Sequence, residues 1–336
     1  MVKNRNELAD FIRGILIWLM IWGHVIQIGS FDNFDFYQNG VFKMIYSFHM
    51  PLFMLISGFY FFYSVENKNT KEVLTKRFHA IAKPAMIWTI VDSIISVILY
   101  ENFNYLPNSG NYQIIIDSLL YSFWFLWAIL LGTMIVILVK RFFNDSLYAY
   151  GLIFLLLNLL PTNVISMHVF TLFYYIIGYH IAKKGVNLFN NQIQFKRTLF
   201  FLLCFSFLFI FYEKDHYIYT TGLNLFGNDM GQQIYINIYR YVIGIVGSGL
   251  FILLITIIYN FFHKRRIVEF LVEAGKNSLY IYAFSVIIMN KLLYIFLPSK
   301  ISVNPSFFIW VISVLITISF YAIFVIVSRK YLTRKK

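Results

Sequence analysis

The chain carries one cysteine, Cys204, in 336 residues. A single thiol excludes an intrachain disulfide and any zinc site built on cysteines, and no metal is expected. Charge is scarce as well. Asp, Glu, Lys and Arg make up 13% of the residues and hydrophobic residues 60%, whereas soluble domains carry roughly a quarter charged and about half apolar residues. There is no internal repeat, linker or low-complexity tract, which predicts one integral-membrane domain over residues 1–336. The first apolar run is too long for a signal peptide. Its far end, Gln27-Ile28-Gly29-Ser30, offers no small-x-small cleavage site.

What is present is a series of apolar runs of the length that crosses a bilayer. They predict an all-α, polytopic transmembrane bundle of about ten helices, at 8–29, 41–63, 80–100, 117–139, 147–161, 166–182, 198–212, 235–262, 278–297 and 306–328. The net charge of +13 is dispersed in short basic blocks between these runs, a pattern of topology determinants that excludes a nucleic-acid partner. With odd-numbered helices running outward, all 28 Lys and Arg fall on the cytoplasmic side except Lys43, Lys214, Arg240, Lys291 and Lys300. That bias places both termini in the cytoplasm and predicts a multi-pass protein of the cell membrane, a bacterial inner membrane, with the lipid bilayer as its solvent. The outer loops hold acidic and amide groups, among them Asp32, Asn33 and Asp35, which suit carbohydrate hydroxyls.

Ionisable side chains inside a span are expensive and mark functional positions. The first helix has the best set. At 100° per residue, Arg13 and His24 lie about 20° apart, with Asp10 and Gln27 within about 40° of Arg13, so all four share one stripe. Arg13 is near the cytoplasmic end and His24 roughly 16 Å deeper. His49 on the returning second helix reaches a similar depth, in the outer half. Asp92 lies mid-span in the third helix and needs a partner, Arg13 or a tyrosine. Arg240 reads as an arginine snorkelling to the outer water, or as an anchor for an acidic acceptor.

The run Asp10-Phe-Ile-Arg13-Gly14, with His24 eleven residues after the arginine, resembles the opening signature of the acyltransferase 3 family. Phe48-His49-Met50-Pro51-Leu52-Phe53, closing on Ser57-Gly58-Phe59, is similar to the second-helix segment of that family's fucose 4-O-acetylase-like branch. Phe123-Trp124-Phe125-Leu126-Trp127 and Gly275-Lys-Asn-Ser278-Leu-Tyr280-Ile-Tyr282 resemble the family's fourth-helix and penultimate-helix patterns. Ahead of the third helix Arg77 and Pro84 match, but Ala80 and Ile81 fill the region where the family often has a second arginine. After Tyr282, where the family often has a histidine, this chain has Ala283, Phe284 and Ser285.

The resemblance implies a membrane O-acyltransferase moving an acetyl group from cytoplasmic acetyl-CoA to a hydroxyl of a cell-surface sugar, polysaccharide or lipid-linked precursor. His24 would be the base, with Asp10 orienting Arg13 and Arg13 receiving phosphate of coenzyme A. Arg77, Lys76 and Lys83 would add to the phosphate site, and His49, Asp32, Asp35 and Trp124 would meet the acceptor. Whether the acceptor is deprotonated directly or an acyl-enzyme forms stays open. The rival class is a transporter or flippase for a lipid-linked sugar or small solute. Such proteins often show repeats and paired helix breaks, and this sequence has neither.

Overall fold

The computed structural model describes residues 6–28, 35–66, 68–103, 111–160, 163–190, 192–218 and 229–289, together with 313–315, 317–318, 321–323 and 326. These residues are helical, without strands, in keeping with the all-α bundle. The helices are α1 Glu7–Ile28, α2 Gly40–Val65, α3 Thr70–Arg77, α4 Lys83–Phe103, α5 Asn111–Asp117, α6 Trp124–Phe142, α7 Leu147–Asn158, α8 Asn163–Lys183, α9 Phe195–Ile210, α10 Met230–Phe262, α11 Arg266–Lys276 and α12 Ser278–Ile287. Six helical stretches among the described residues are long and apolar enough to cross a membrane: Glu7–Gln27, Gly40–Val65, Thr70–Leu99, Trp124–Phe142, Ile165–Lys183 and Met230–Phe262. Helices α7 and α12 are apolar but shorter. The 12 residues of α7 rise only about 18 Å, short of a hydrocarbon core of about 30 Å.

Local chemistry explains where the elements start and bend. Asn6 Oδ1 accepts from the Ala9 amide at 3.1 Å at the mouth of α1, and Glu7 and Asp10 add negative charge beside that helix's positive end. Asn39 Oδ1 accepts from the amides of Val41 and Phe42 and caps α2. Pro84, near the start of α4, has no N–H, and its ring would strike the carbonyl four residues back. The chain answers with a π turn over Phe78–Ala82, in which the Lys83 amide bonds to Phe78 O, five residues behind. Helices α3 and α4 therefore run on as one, so the third span begins nearer Thr70 than residue 80. A second π turn, Ser118–Ser122, precedes a break at Phe123, within the segment expected to be one continuous helix over 117–139.

The chain divides into two compact units, each assembled from separated stretches. Unit 1 takes in Met1–His49, Phe189–Phe211 and Val246–Lys336; unit 2 takes in Met50–Leu188 and Tyr212–Ile245. In unit 1, α1 packs chiefly on α11, which lies where the basic segment from Lys264 to Lys276 was expected to be a loop. Its apolar residues Val268, Val272 and Ala274 are buried and its charged ones face away. The two backbones touch: a Cβ on Gly14 would fall 1.9 Å from Leu271 O, and one on Gly275 1.8 Å from Asp10 O. In unit 2, Gly58 and Gly178 play the same part between α2 and α8, where added Cβ atoms would sit 1.9 Å from Tyr175 O and 2.0 Å from Leu55 O.

Exposed faces are apolar, as a lipid solvent requires. On α4, Ile87, Ile90, Ile94 and Ile98 point outward, while Thr89, Asp92 and Ser96 are buried on the other side. Helix α9 shows Leu199, Phe200, Leu203, Phe207 and Ile210.

Candidate active site

Unit 1 brings together the polar stripe of α1 and the start of α2. Arg13 Nη1 contacts Asp10 Oδ1 at 3.3 Å, one turn apart on α1. Asp10 is 1% exposed and Arg13 23%, so the carboxylate is buried while the arginine side chain keeps some exposure. A buried carboxylate beside an arginine both stabilises the cation and restricts its rotamer.

Deeper on the same stripe, His24 Nδ1 lies 2.9 Å from Gln27 Oε1. The same oxygen accepts from the Tyr46 hydroxyl on α2 at 3.3 Å. An amide oxygen only accepts, so this contact is a hydrogen bond when Nδ1 of His24 carries the proton, the tautomer in which the neutral ring's Nε2 keeps its lone pair. His49 arrives at the same state by another route: its Nδ1 is 2.7 Å from Ile45 O, one turn back on its own helix. A carbonyl too can only accept, which again leaves Nε2 without a proton. The Tyr46 ring lies edge-on to His49 with centroids 4.8 Å apart and stacks on Phe42 at 4.0 Å. His24, Gln27, Tyr46 and His49 form one connected group. His24 in it is half-buried, whereas His49 is 2% exposed. Of the two rings, His24 is the more exposed.

The other expected residues are placed as follows. Asp35 caps the 3-10 turn Phe36–Gln38, its Oδ1 accepting from the Tyr37 amide at 3.1 Å. Asp32 and Asn33 lie outside the described residues. In unit 2, Arg77 turns inward, its guanidinium carbon 4.6 Å from the Phe61 ring centroid. Lys76 is exposed and paired with Glu72 at 2.6 Å, and Lys83 is exposed. Trp124 opens α6, buried, with its ring 6.2 Å from that of His168.

Three features were not legible beforehand. Gln27 was seen on the stripe but not as the partner of His24, and Tyr46 was lost among 25 tyrosines. Asp92 is fully buried and accepts from Ser122 Oγ at 2.6 Å, a partner neither of the expected kinds. Arg240 does not snorkel: it is 3% exposed, its Nε donates to His216 O at 3.0 Å, and it sits 5.7 Å from the Phe170 ring. No group of three or more His, Cys, Asp or Glu among the described residues is arranged to hold a metal.

An all-α membrane bundle with a buried Asp10 beside Arg13 and a histidine deeper on its first helix is what can be compared with known proteins. The family described as an acyltransferase domain, acyltransferase 3, matches residues 7–327, and the chain belongs to it. Among curated proteins it is similar to the nodulation protein NolL of Sinorhizobium fredii, 27% identical over 229 residues, covering 65% of this chain and 61% of that protein. It is also similar to NolL of Mesorhizobium japonicum, 24% identical over 244 residues, covering 70% of this chain and 64% of that one. The chain therefore spans somewhat under two thirds of the length of these relatives. No solved structure matches it.

Proposed function

We propose that this chain is a membrane O-acetyltransferase that moves an acetyl group from cytoplasmic acetyl-CoA to a hydroxyl of a cell-surface sugar or its lipid-linked precursor, in a bacterial inner membrane. The observation that carries the reading is half-buried His24, its Nδ1 turned to Gln27 Oε1, on the helix that also carries Arg13 beside Asp10. Membership of the acyltransferase family supports the reaction class.

In the reaction, His24 Nε2 takes the proton of the acceptor hydroxyl as its oxygen attacks the thioester carbonyl. The C–O bond forms, the C–S bond breaks, and the coenzyme A thiolate recovers the proton from the imidazolium. Protons and charge balance with no further reactant. Arg13 binds phosphate of coenzyme A, for which a guanidinium is suited by its fixed, paired donors. Arg77, Lys76 and Lys83 are additional candidates for coenzyme A on charge and family resemblance. His49, Trp124, Asp32 and Asp35 are candidates for the acceptor on the same footing.

The test is binding and turnover of radiolabelled acetyl-CoA by purified protein in detergent, wild type beside His24→Ala and Arg13→Ala. The expected result is tight binding by wild type, weakened binding in Arg13→Ala, and retained binding without acetyl transfer or hydrolysis in His24→Ala. Absence of any coenzyme A binding by folded wild-type protein would refute the reading and favour a transporter.

A further inference from the structure

His24 and His49 both place Nδ1 beside an oxygen that can only accept, but by different means. His49 uses the carbonyl of Ile45, four residues back. That is the local solution open to a buried helical histidine, and it needs no other side chain. His24 instead reaches forward to Gln27, and Gln27 is held by the Tyr46 hydroxyl from the next helix. Room for this is specific to the sequence. A Cβ on Gly23 would stand 2.7 Å from the Tyr46 ring, so the tyrosine can lie over α1 only because residue 23 is glycine. Stacking of Tyr46 on Phe42 fixes the ring from the other side.

We propose that Gln27 and Tyr46 are positioning residues that hold His24 in the Nδ1–H tautomer and so keep its Nε2 free to act as the base. The role assigned to the pair rests on the acyl-transfer reading of His24; the tautomer lock itself does not. Imidazole without a partner at Nδ1 distributes its proton over both nitrogens, and the Nε2–H form cannot accept from a hydroxyl. Gln27 supplies a partner that can only accept at Oε1. Tyr46, by donating to that same oxygen, keeps the amide from turning its NH2 towards the ring. The lock therefore crosses from α1 to α2.

The experiment is nitrogen NMR of the full-length protein in detergent, with 15N-labelled histidine and resonances assigned through His24→Gln and His49→Gln. At about pH 8, where an ordinary imidazole is neutral, His24 in wild type is expected to show a pyrrole-type Nδ1 and a pyridine-type Nε2. Gln27→Leu should give His24 a mixture of tautomers while His49 keeps its signature. Tyr46→Phe and Gly23→Ala should shift His24 in the same direction by a smaller amount. Gln27→Glu, which still accepts from Nδ1–H, should restore the single tautomer.

Acetyl transfer should follow the spectra, falling on the order of 10²-fold in Gln27→Leu, within the range expected of general acid–base catalysis, and recovering in Gln27→Glu. An unchanged His24 tautomer in Gln27→Leu, or an Nε2–H ring in wild type, would overturn the proposal. A lost tautomer in a protein that binds no coenzyme A would leave the lock standing and refute the acyl-transfer reading instead. Tautomer loss with full transfer activity would refute the positioning role alone.

Discussion

Gly14 on α1 and Gly275 on α11 stand back to back: a Cβ on the first would lie 3.3 Å from the amide nitrogen of the second, and a Cβ on the second 3.0 Å from that of the first. The tighter limits are the carbonyls of Leu271 and Asp10, below 2 Å. Gly14 belongs to the run that resembles the family signature, and its part in this structure is steric. Tyr321 adds a hydrogen bond to Gly14 O at 2.8 Å, so three segments of unit 1 meet on one residue. Replacing Gly14 or Gly275 with Ala pushes backbone against backbone, which no rotamer can relieve. Each change should destabilise the protein by about 1–3 kcal/mol, the usual scale of overpacking, read as a lower melting temperature in detergent. A Gly14→Ala protein with an unchanged melting temperature would show that α11 does not dock as described.

Arg13 and Asp10 allow a separation of charge from geometry. Arg13→Lys keeps the charge but loses the planar donor set, and Asp10→Asn keeps the shape but removes the counter-charge. If Arg13 receives phosphate, Arg13→Lys should weaken coenzyme A binding about tenfold, comparable to the roughly 1.5–3 kcal/mol of a hydrogen bond to a charged group. Asp10→Asn should weaken it less, since the arginine loses only its brace. Equal affinity in wild type and Arg13→Lys, by titration calorimetry with coenzyme A, would remove the guanidinium from the donor site.

His216 lies between α9 and α10, outside the spanning helices, with its Nδ1 accepting from the Glu213 amide at 2.8 Å. Burial, followed by the charge of Arg240, pushes its pKa below the ordinary value of 6.5. A histidine with a depressed folded pKa is protonated more readily when unfolded. Stability is therefore full above about pH 6.5 and declines as pH falls from there through the lowered folded value. The melting temperature should drop across that window, and His216→Gln should flatten the drop. A wild-type curve that is flat between about pH 7 and 5 would contradict this account.

Asp145 works in the opposite chemical sense. It follows Asn144 in the α6–α7 turn, both with positive φ, at 61° and 47°. Its carboxylate bonds Lys183, Tyr150 and Tyr179. Burial raises its pKa, but the hydrogen bonds and the charge of Lys183 outweigh that and leave it lowered. The stability it contributes is present above the ordinary aspartate value of 3.8 and is lost as pH falls through the lowered folded value. Asp145→Asn should lower the melting temperature at pH 7, and the gap to wild type should narrow under strong acid. Thermal unfolding monitored by tryptophan fluorescence across that range is the check.

The stripe of Asp10, Arg13, His24 and Gln27 was readable because helical period needs only one segment. Once α1 is a helix, 100° per residue places the four side chains on one side whatever surrounds them. The apolar runs were readable for a similar reason: bilayer thickness sets a length that composition must satisfy within each span. Proline positions were visible too, but that Pro84 would resolve into a π turn was not. A kink can be absorbed in several ways, and neighbours choose among them.

Partners across space were a different matter. Tyr46 reaches Gln27 because Gly23 leaves space on α1, and nothing local distinguishes that tyrosine from 24 others. Arg240 was expected to reach for water, yet it is enclosed by His216 and Phe170, residues far from it in sequence. The basic segment before α12 looked like a cytoplasmic loop because its charge dominates. Its four buried residues become a docking face only when Gly14 offers a bare backbone to receive them. The sequence by itself determined a membrane bundle and the face of α1 that carries Asp10, Arg13, His24 and Gln27, since both depend on periodicity along one helix. Which side chain of the next helix braces Gln27 beside His24 was decided by tertiary packing, because a hydrogen bond between helices depends on distances that no single helix contains.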